Sequence, residues 1–456
     1  MDTVKINSGV ISGTVQGEPG KEVSVFLGIP YAASTAGENR WRPPQPVIPW
    51  QGVKECKAYG RAAPQEPPGP PFPQQERGED CLTLNVLTPA RKINEKLPVM
   101  VWFHGGGYFS GCGNNRLYSS IPLPRHGVVL VSTNHRLNVM GLMAHPLLSR
   151  ESPQGVSGNY MIMDMIASLK WVQQNIAAFG GDPGKVTIFG ESGGGGKVAC
   201  LMASPLAKGL FHRAICESGT AVGEPFFGAL PLKEMEKRGE KLFEKLGVNR
   251  EKDPLQAARA LPWPKLLEAE QDVKKDMGNP SMFFALWDAA IDGYVFPDSP
   301  TNIFKAGKHH AVPLITGANI AELYEGMIVM PWIIPAYITQ MVYNKKAGAD
   351  NYAYIFDRVP EGWKKVGMKA GHGQELNYLF GLSEVKDWTT GMPGPELPDP
   401  ELNDSDKYVR EVMMKMWVQF AKSGRPGVKG LIDWPAYTPE KDEYMYITDP
   451  VAVKKG

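Results

Sequence analysis

The segment at residues 185–202 reads KVTIFGESGGGGKVACLM, and it decides the fold that this sequence predicts. Its first part, 186–189, is a short apolar run with β-branched residues and indicates a buried strand. From Lys197 onward the pattern suits a helix. Between the two lies a G-x-S-x-G motif centred on Ser192, and a strand-to-helix junction is where this motif forms a sharp turn that exposes a nucleophilic serine.

The predicted turn holds Ser192 in a strained backbone conformation, which costs about 1–3 kcal/mol. The glycines two positions to either side have no Cβ, so the turn can close. The N–H of Gly193 stands at the start of the helix, where it is free to donate to an anion. A phosphate-binding loop would need a glycine in place of Glu191 and a hydroxyl side chain in place of Val198, so we reject that interpretation.

The composition excludes several classes of protein. The chain has 456 residues, of which 43% are hydrophobic, and this is enough for one large α/β domain. A net charge of +1 argues against nucleic-acid and anionic-membrane partners. No apolar run is long enough to span a bilayer.

The cysteines point to reduced thiols. The chain contains five of them, an odd number with no C-x-x-C spacing: Cys56, Cys81, Cys112, Cys200 and Cys216. We therefore expect neither structural zinc nor a disulfide framework.

The first residues look like a strand and not like a secretory leader, so we expect a cytoplasmic protein, with secretion after removal of a leader as the alternative.

The order of the predicted elements indicates a parallel sheet. Unbroken apolar strands are expected at 97–103, 128–132, 312–316 and 352–356, and such strands suit a sheet covered on both faces. A helix at 161–178 precedes the serine strand, which implies right-handed crossovers. Further elements are an antiparallel opening section at 3–60, a proline-rich loop at 64–73, helices at 231–246 and 404–423, and a last strand at 444–447. Asp404 or Ser405 is expected to cap the helix at 404–423.

A seryl hydroxyl needs a base, and the base needs an acid to hold it. At this kind of turn both follow the serine along the chain. His372 lies in a glycine-flanked loop after a predicted strand and is the predicted base. His212 is expected to be a surface or packing residue, and His309 and His310 stand at the wrong end of a strand.

The acid is less clearly indicated by the residues alone. Glu322 follows the strand at 312–316 and is a candidate, and Glu325 competes with it. Asp292 and Asp298 lie in a turn-rich segment and are expected to be structural.

Donors for a developing oxyanion are indicated by the sequence HGGG at 104–107, directly after the strand at 97–103. Consecutive glycines leave backbone N–H groups exposed. The loss of one such donor typically costs about 2.7–4 kcal/mol of transition-state stabilisation.

The whole chain resembles the type-B carboxylesterase and cholinesterase family of α/β-hydrolases, in its bacterial form. The resemblance rests on FLGIPYA at 26–32, EDCLTLN at 79–85, GGG at 105–107, WVQQNI at 171–176, FGGDP at 179–183, FGESGG at 189–194 and the loop around His372. It implies the α/β-hydrolase fold, a largely parallel sheet with helices on both faces. It also implies a single domain over 1–456, with cap-like insertions near 221–290 and 323–350.

The resemblance implies Ser192 as nucleophile, His372 as base and Glu322 as acid, since the Gly-x-Asn-x-x-Glu context of Glu322 matches the family. The implied oxyanion donors are the N–H groups of Gly106, Gly107 and Gly193. Ser218 matches a supporting serine. The reaction needs no cofactor and no metal.

The chain also departs from the family. The family often pairs a cysteine at Cys81 with one where this chain has Ala63, so that disulfide is not expected. No tryptophan lies between these positions, and choline esters are therefore not expected as substrates. Our hypothesis for Gly195 and Gly196 is that they widen the pocket for a bulky acyl or alcohol group.

These observations predict a serine carboxylesterase that acts on small-molecule esters through an acyl-enzyme, as a monomer or weak homo-oligomer. A thioesterase, amidase or carbamate hydrolase on the same site is the nearer alternative. A non-catalytic interaction protein of the same fold is the more distant one.

Overall fold

The computed structural model describes residues 1–67, 75–223, 227–278, 286–324, 330–382 and 398–456. Its strands are β1 Thr3–Ile6, β2 Gly9–Ser12, β3 Thr14–Gln16, β4 Val23–Pro30, β5 Val53–Glu55, β6 Thr83–Thr88, β7 Leu97–Phe103, β8 Val129–Thr133, β9 Gly181–Glu191, β10 Arg213–Glu217, β11 Ala229–Pro231, β12 Ala289–Ile291, β13 Leu314–Asn319, β14 Asn351–Phe356, β15 Glu443–Ile447 and β16 Ala452–Lys455. Its α-helices are α1 Pro122–Arg125, α2 Asn138–Leu142, α3 Pro146–Glu151, α4 Tyr160–Asn175, α5 Gly193–Ala203, α6 Leu232–Leu246, α7 Pro254–Ala260, α8 Trp263–Asp276, α9 Pro300–Lys305, α10 Ile320–Tyr324, α11 Ile333–Lys346, α12 Glu361–Lys365, α13 Glu375–Leu379 and α14 Asp404–Ser423.

The central sheet has 11 strands in the order β16-β15-β14-β13-β10-β9-β7-β8-β6-β4-β3. The strands from β8 to β15 in this order pair in parallel. Antiparallel pairs close both sides, with β3, β4 and β6 at one and β16 at the other. The sheet is therefore largely parallel, as the sequence predicts.

Strand β7 shows why its apolar run is unbroken. Val99 and Val101 belong to the hydrophobic cluster on one face of the sheet. Met100 and Trp102 belong to the cluster on the other face. Successive residues of β7 point to opposite faces of the sheet. Because helices cover both faces, the residues on each face are equally buried, and none of these positions needs to be polar. This confirms the predicted α/β-hydrolase fold with helices on both faces.

The helix α4 buries the face that its periodicity predicts, with Ile162, Met165, Ile166, Leu169 and Val172 in one cluster. The helix α14 begins as predicted, but its cap is Asn403 and not Asp404 or Ser405. The side chain of Asn403 accepts from the N–H groups of Ser405 and Asp406, and Asp406 accepts from the N–H of Asn403 in return. This reciprocal capping box gives hydrogen-bond partners to the N–H groups of Asn403, Ser405 and Asp406. A cap one residue later would leave some of these donors without a partner.

The strand predicted at 444–447 is confirmed, but the expectation that it is the last strand is wrong. β15 occupies that position, but β16 follows it and pairs antiparallel at the sheet edge. β16 has no buried residue, so it carries no hydrophobic pattern that a sequence could reveal.

The opening section is antiparallel where β1 pairs with β2 and β3 with β4, although β5 joins β2 in parallel. In the predicted loop at 64–73, residues 64–67 have no regular structure, and 68–74 lie outside the described residues. All five cysteines are free thiols. In the described ranges, no helix combines the length and the apolar character that crossing a bilayer requires.

The single-domain boundary and the two cap-like insertions remain predictions. The region 221–290 contains β11, the helices α6 to α8 and the first two residues of β12, and α11 lies within 323–350. The helix α6 ends at Gly247, whose φ of 72° is left-handed, as the closing glycine predicts.

Candidate active site

Ser192 forms the tight turn between β9 and α5, with φ 58° and ψ −126°. Its N–H donates to the carbonyl of Glu217 at 2.8 Å. A Cβ on Gly190 would lie 2.5 Å from the carbonyl oxygen of Phe103, so only glycine fits there. The predicted strand–turn–helix geometry is confirmed, and it holds Ser192 in a strained backbone conformation.

The glycine loop after β7 meets the start of α5. Gly106 and Gly107 have φ values of 83° and 62°, which favour glycine. A Cβ on Gly193 would lie 2.5 Å from the backbone nitrogen of Gly107. A Cβ on Gly105 would lie 3.4 Å from the Cβ of Ser192. The structure therefore brings the three predicted oxyanion donors and the serine to one place.

His372 and Glu322 form a buried pair. The Nδ1–H of His372 donates to Oε1 of Glu322 at 2.8 Å. Glu322 is fully buried at the start of α10, just after β13. Its Oε2 accepts from the N–H of Asn319 at 3.2 Å. These contacts fix the imidazole tautomer, because the proton on Nδ1 leaves Nε2 with a lone pair in the neutral ring.

The loop of the histidine is tied to the loop of the acid by the backbone. The N–H of Ala321 donates to the carbonyl of Ala370 at 3.0 Å. Glu325, the competing acid in the sequence, lies outside the described residues. Of the two candidates, Glu322 is the one that the structure places against the imidazole.

The other ring nitrogen of His372 faces Glu191, the residue before the serine. Nε2 lies 3.2 Å from Oε1 of Glu191. In the described residues, no hydrogen bond joins Nε2 to Oγ of Ser192. Burial opposes the charge of the ring, but the carboxylates of Glu191 and Glu322 outweigh it and raise the pKa of His372 to about 9.

Four buried carboxyl groups interact electrostatically at this site, and two of them, Glu191 and Glu322, face the histidine; the other two are Glu217 and Glu375. Burial raises the pKa of Glu191 to about 7, with His372 lowering it and Glu322 raising it. Burial raises the pKa of Glu217 to about 8, although the indole of Trp417 donates to it at 2.8 Å. Burial and the neighbouring carboxylates raise the pKa of Glu375 well above its usual range. Glu217 and Glu375 therefore hold protons at neutral pH more readily than ordinary carboxyls.

Sequence reasoning did not single out Glu191, Glu217 or Glu375 for this cluster. Glu191 directly precedes Ser192 in the G-x-S-x-G motif, and this position could have indicated that its side chain lies at the site. Glu217 and Glu375 reach the site because β10 and α13 converge there, and no local pattern reports that convergence.

The other three histidines that follow Ser192 along the chain pack elsewhere, as predicted. Nδ1 of His212 accepts from a backbone N–H at 3.2 Å. The ring of His309 stacks on Phe304 with centroids 3.9 Å apart. His310 bonds through Nε2 to the carbonyl of Ser204 at 2.7 Å.

The aspartates of the turn-rich segment are structural, as predicted. Oδ1 of Asp292 accepts from the backbone N–H groups of Tyr294, Val295 and Phe296. Oδ1 of Asp298 accepts from the N–H of Ser299, which caps α9.

The glycines after the serine do not open a pocket. A Cβ on Gly195 would lie 2.3 Å from the carbonyl oxygen of Gly219. A Cβ on Gly196 would lie 2.8 Å from Cγ of Phe227. The space beside both residues is filled, so the hypothesis that they widen the pocket is wrong, and the glycines allow close backbone packing instead.

Ser218 lies beside the turn with φ 47°. Its N–H donates to the carbonyl of Gly317 at 2.8 Å. In the described part of the chain its buried Oγ has no hydrogen-bond partner. A supporting role for its hydroxyl remains a prediction.

Residues 1–331 and 327–456 match the model of the carboxylesterase family. A fumonisin B1 esterase of Sphingopyxis macrogoltabida is 36% identical, over 100% of this chain and 88% of the relative. A para-nitrobenzyl esterase of Bacillus subtilis (strain 168) is 29% identical, over 97% of this chain and 94% of the relative. A solved PNB esterase superposes with a TM-score of 0.84 at 27% identity, and the match covers 99% of this chain and 97% of that one.

Proposed function

Since this chain belongs to the carboxylesterase family and is a carboxylic-ester hydrolase, we propose that Ser192, His372 and Glu322 carry its reaction. One observation supports the assignment most strongly. A buried carboxylate holds Nδ1 of a histidine at 2.8 Å, and the other ring nitrogen lies beside the residue that precedes a serine with φ 58°.

In the first half of the reaction Ser192 attacks the ester carbonyl while Nε2 of His372 takes the hydroxyl proton. For this transfer Nε2 must turn from Glu191 toward Oγ. The negative charge that develops on the carbonyl oxygen is bound by the N–H groups of Gly106, Gly107 and Gly193. When the tetrahedral intermediate collapses, the imidazolium protonates the leaving alcohol and the acyl-enzyme remains.

In the second half a water molecule replaces the alcohol. His372 takes a proton from the water, which attacks the acyl carbonyl, and the same N–H groups bind the second oxyanion. Collapse releases the acid and returns the proton to Ser192. Glu322 keeps the imidazole in one tautomer and stabilises its cation in both halves.

The substrate class is a small-molecule ester. We extend this to esters without a quaternary ammonium group, because no tryptophan lies between Ala63 and Cys81 to face such a cation. The relatives named above act on chemically different esters by their names, so the names alone do not choose an acyl group for this chain.

The assignment is tested with matched p-nitrophenyl esters, anilides and thioesters, measured on the wild type and on Ser192→Ala. We expect the ester to react fastest and Ser192→Ala to lose roughly 10⁴–10⁶-fold in kcat. Ser204→Ala is the matched control, since this buried serine at the end of α5 donates to Val295 and touches no reacting group.

A fluorophosphonate probe tests the nucleophile independently, because it labels an activated serine covalently. The expected adduct is on Ser192, and His372→Ala should abolish it. Unchanged ester hydrolysis by Ser192→Ala would overturn the serine mechanism. If the anilide or the thioester is hydrolysed faster than the ester, the preferred substrate class is wrong, but Ser192 remains the proposed nucleophile.

A further inference from the structure

Lys197 is a fully buried cation beside the serine turn. In the described ranges, no carboxylate lies within ion-pair distance of it. Buried lysines are rare unless paired, because an ammonium loses its hydration without compensation. Burial lowers the pKa of Lys197 to about 7. A residue that is this costly to bury needs a reason for its position.

The hydrogen bond of Lys197 supplies that reason. Its Nζ donates to the carbonyl oxygen of His104 at 2.9 Å. His104 is the first residue after β7 and directly precedes Gly105, Gly106 and Gly107. The lysine itself lies on α5, the helix whose first residue is Gly193. The bond therefore joins the two segments that carry the proposed oxyanion donors.

These two segments are in direct backbone contact. A Cβ on Gly193 would lie 2.5 Å from three backbone atoms of Gly107. A Cβ on Gly194 would lie 2.1 Å from the carbonyl oxygen of Phe103 and 3.2 Å from that of His104. The glycines let the helix approach the loop closely, but they contribute no side chain that could hold it there. Lys197, one turn further along the helix, does so through its bond to His104, and the hydroxyl of Tyr108 lies 3.3 Å from Sγ of Cys200 on the same helix.

The two histidines near this hydrogen bond do not compete with Lys197. The ring of His104 stacks on that of His135 with centroids 4.4 Å apart and planes at 9°. Burial, and then the charge of Lys197, lowers the pKa of both imidazoles well below the usual range. Nδ1–H of His104 donates to the carbonyl of Gly105 at 2.8 Å. Both rings are thus neutral, and neither competes with Lys197 as a cation.

We propose that Lys197 is a positioning residue for the oxyanion hole. It ties the glycine loop to the start of α5, so that the N–H groups of Gly106, Gly107 and Gly193 keep one common geometry. The inference rests on the proposed function, since it assumes that these three groups bind the oxyanion. A lysine in this place acts through the loop and does not touch the substrate.

The test compares Lys197→Met with the wild type. Methionine keeps an apolar stem of similar length and removes the donor. The control is Lys274→Met, the same change at a buried lysine of α8 outside the site. The measurements are kcat and KM for p-nitrophenyl butyrate, the Ki of an alkyl trifluoromethyl ketone and the melting temperature. A fluorophosphonate taken to its end point counts the intact sites.

We expect Lys197→Met to lose about 10–100-fold in kcat per intact site, less than the 10²–10³-fold typical of a deleted donor. KM should change less than threefold. The trifluoromethyl ketone, whose adduct with the serine carries an oxyanion, should bind weaker by a factor similar to the loss in kcat. Lys197→Gln, which retains a shorter N–H donor, should recover part of both losses.

Other results overturn the inference. A loss in kcat that disappears after correction for intact sites shows that Lys197 serves folding alone. Equal ketone affinity in the wild type and in Lys197→Met would also show that the lysine does not position the oxyanion donors. If Lys197→Met does not fold, Lys197→Gln provides the test, through its kcat per intact site and its ketone affinity relative to the wild type. If instead the wild type hydrolyses no ester and Ser192 takes no label, the proposed function has failed, not this inference.

Discussion

Oε1 of Glu191 lies 3.2 Å from Nε2 of His372, so a carboxyl oxygen of the residue before the serine faces the nitrogen that the proposed reaction needs. Glu322 holds the opposite nitrogen at 2.8 Å. An imidazole between two carboxylates is stabilised as a cation, and a cation cannot act as a base. The resting arrangement therefore favours the protonated histidine, and in the proposed mechanism the ring must lose a proton before Ser192 can attack.

This relationship predicts the pH dependence of the wild type. Because the proposed base is neutral His372 and its pKa is raised to about 9, kcat/KM should rise with pH and approach its plateau above that value. Glu191→Gln removes one carboxylate and should move the midpoint down toward the ordinary value of about 6.5. The check is kcat/KM for p-nitrophenyl acetate across the pH range, corrected for background hydrolysis.

The control for this shift is Glu240→Gln, an exposed residue of α6 that should leave the midpoint in place. A midpoint shared by the wild type and Glu191→Gln would show that Glu191 does not act on the charge of His372.

Glu322→Gln should reduce kcat by about 10²–10⁴-fold. The amide keeps the size of the side chain but loses the charge that stabilises the imidazolium, and its NH₂ group favours the wrong tautomer of His372. Steady-state kinetics give the ratio, and KM should change little. Glu325→Gln is the matched comparison, because Glu325 is the competing acid in the sequence. A large loss in Glu325→Gln together with an active Glu322→Gln would reverse the assignment.

The strands of the sheet could be predicted well from local pattern. β7 agrees with the expected bounds at both ends, because its apolar run stops where the glycine loop begins. Strand β16 escaped prediction because an exposed edge strand needs no apolar residue. The same logic applies to the cap of α14, since several consecutive polar residues compete there and only the backbone geometry selects Asn403.

At the candidate site, the residues with local signals could be predicted from the sequence. Ser192 and His372 are flanked by glycines next to predicted strands, whereas Glu322 needed the family resemblance to be separated from Glu325. The buried environment could not be predicted. Glu217 meets Trp417 across 200 positions of sequence, and Lys197 reads as an ordinary helical lysine until the tertiary structure encloses it.

Glu217→Gln should stabilise the protein at alkaline pH. The folded pKa of Glu217 is raised from 4.5 to about 8, so its contribution to stability is fully present below the unfolded value and is lost as the pH rises through the folded value. Glutamine can still accept from Trp417 and never ionises. The increase in the free energy of unfolding of the variant over the wild type should therefore be larger at pH 9 than at pH 5, by at least about 1 kcal/mol.

Urea denaturation at the two pH values measures this difference for Glu217→Gln. Glu251→Gln, at an exposed position, should show no such dependence on pH. An advantage of equal size at both pH values would contradict the buried-carboxyl explanation.

Gly195→Ala tests whether the glycines after the serine exist for packing. Its Cβ would lie 2.3 Å from the carbonyl oxygen of Gly219, so the backbone must shift, at a cost of about 1–3 kcal/mol. Because Gly219 also lies against the carbonyl of Ser192, we expect p-nitrophenyl acetate and a bulky p-nitrophenyl ester to lose activity by the same factor, together with a lower melting temperature. Gly228→Ala, with open space around its Cβ, should change neither. A loss confined to the bulky ester, at an unchanged melting temperature, would restore the pocket-widening role that the packing denies.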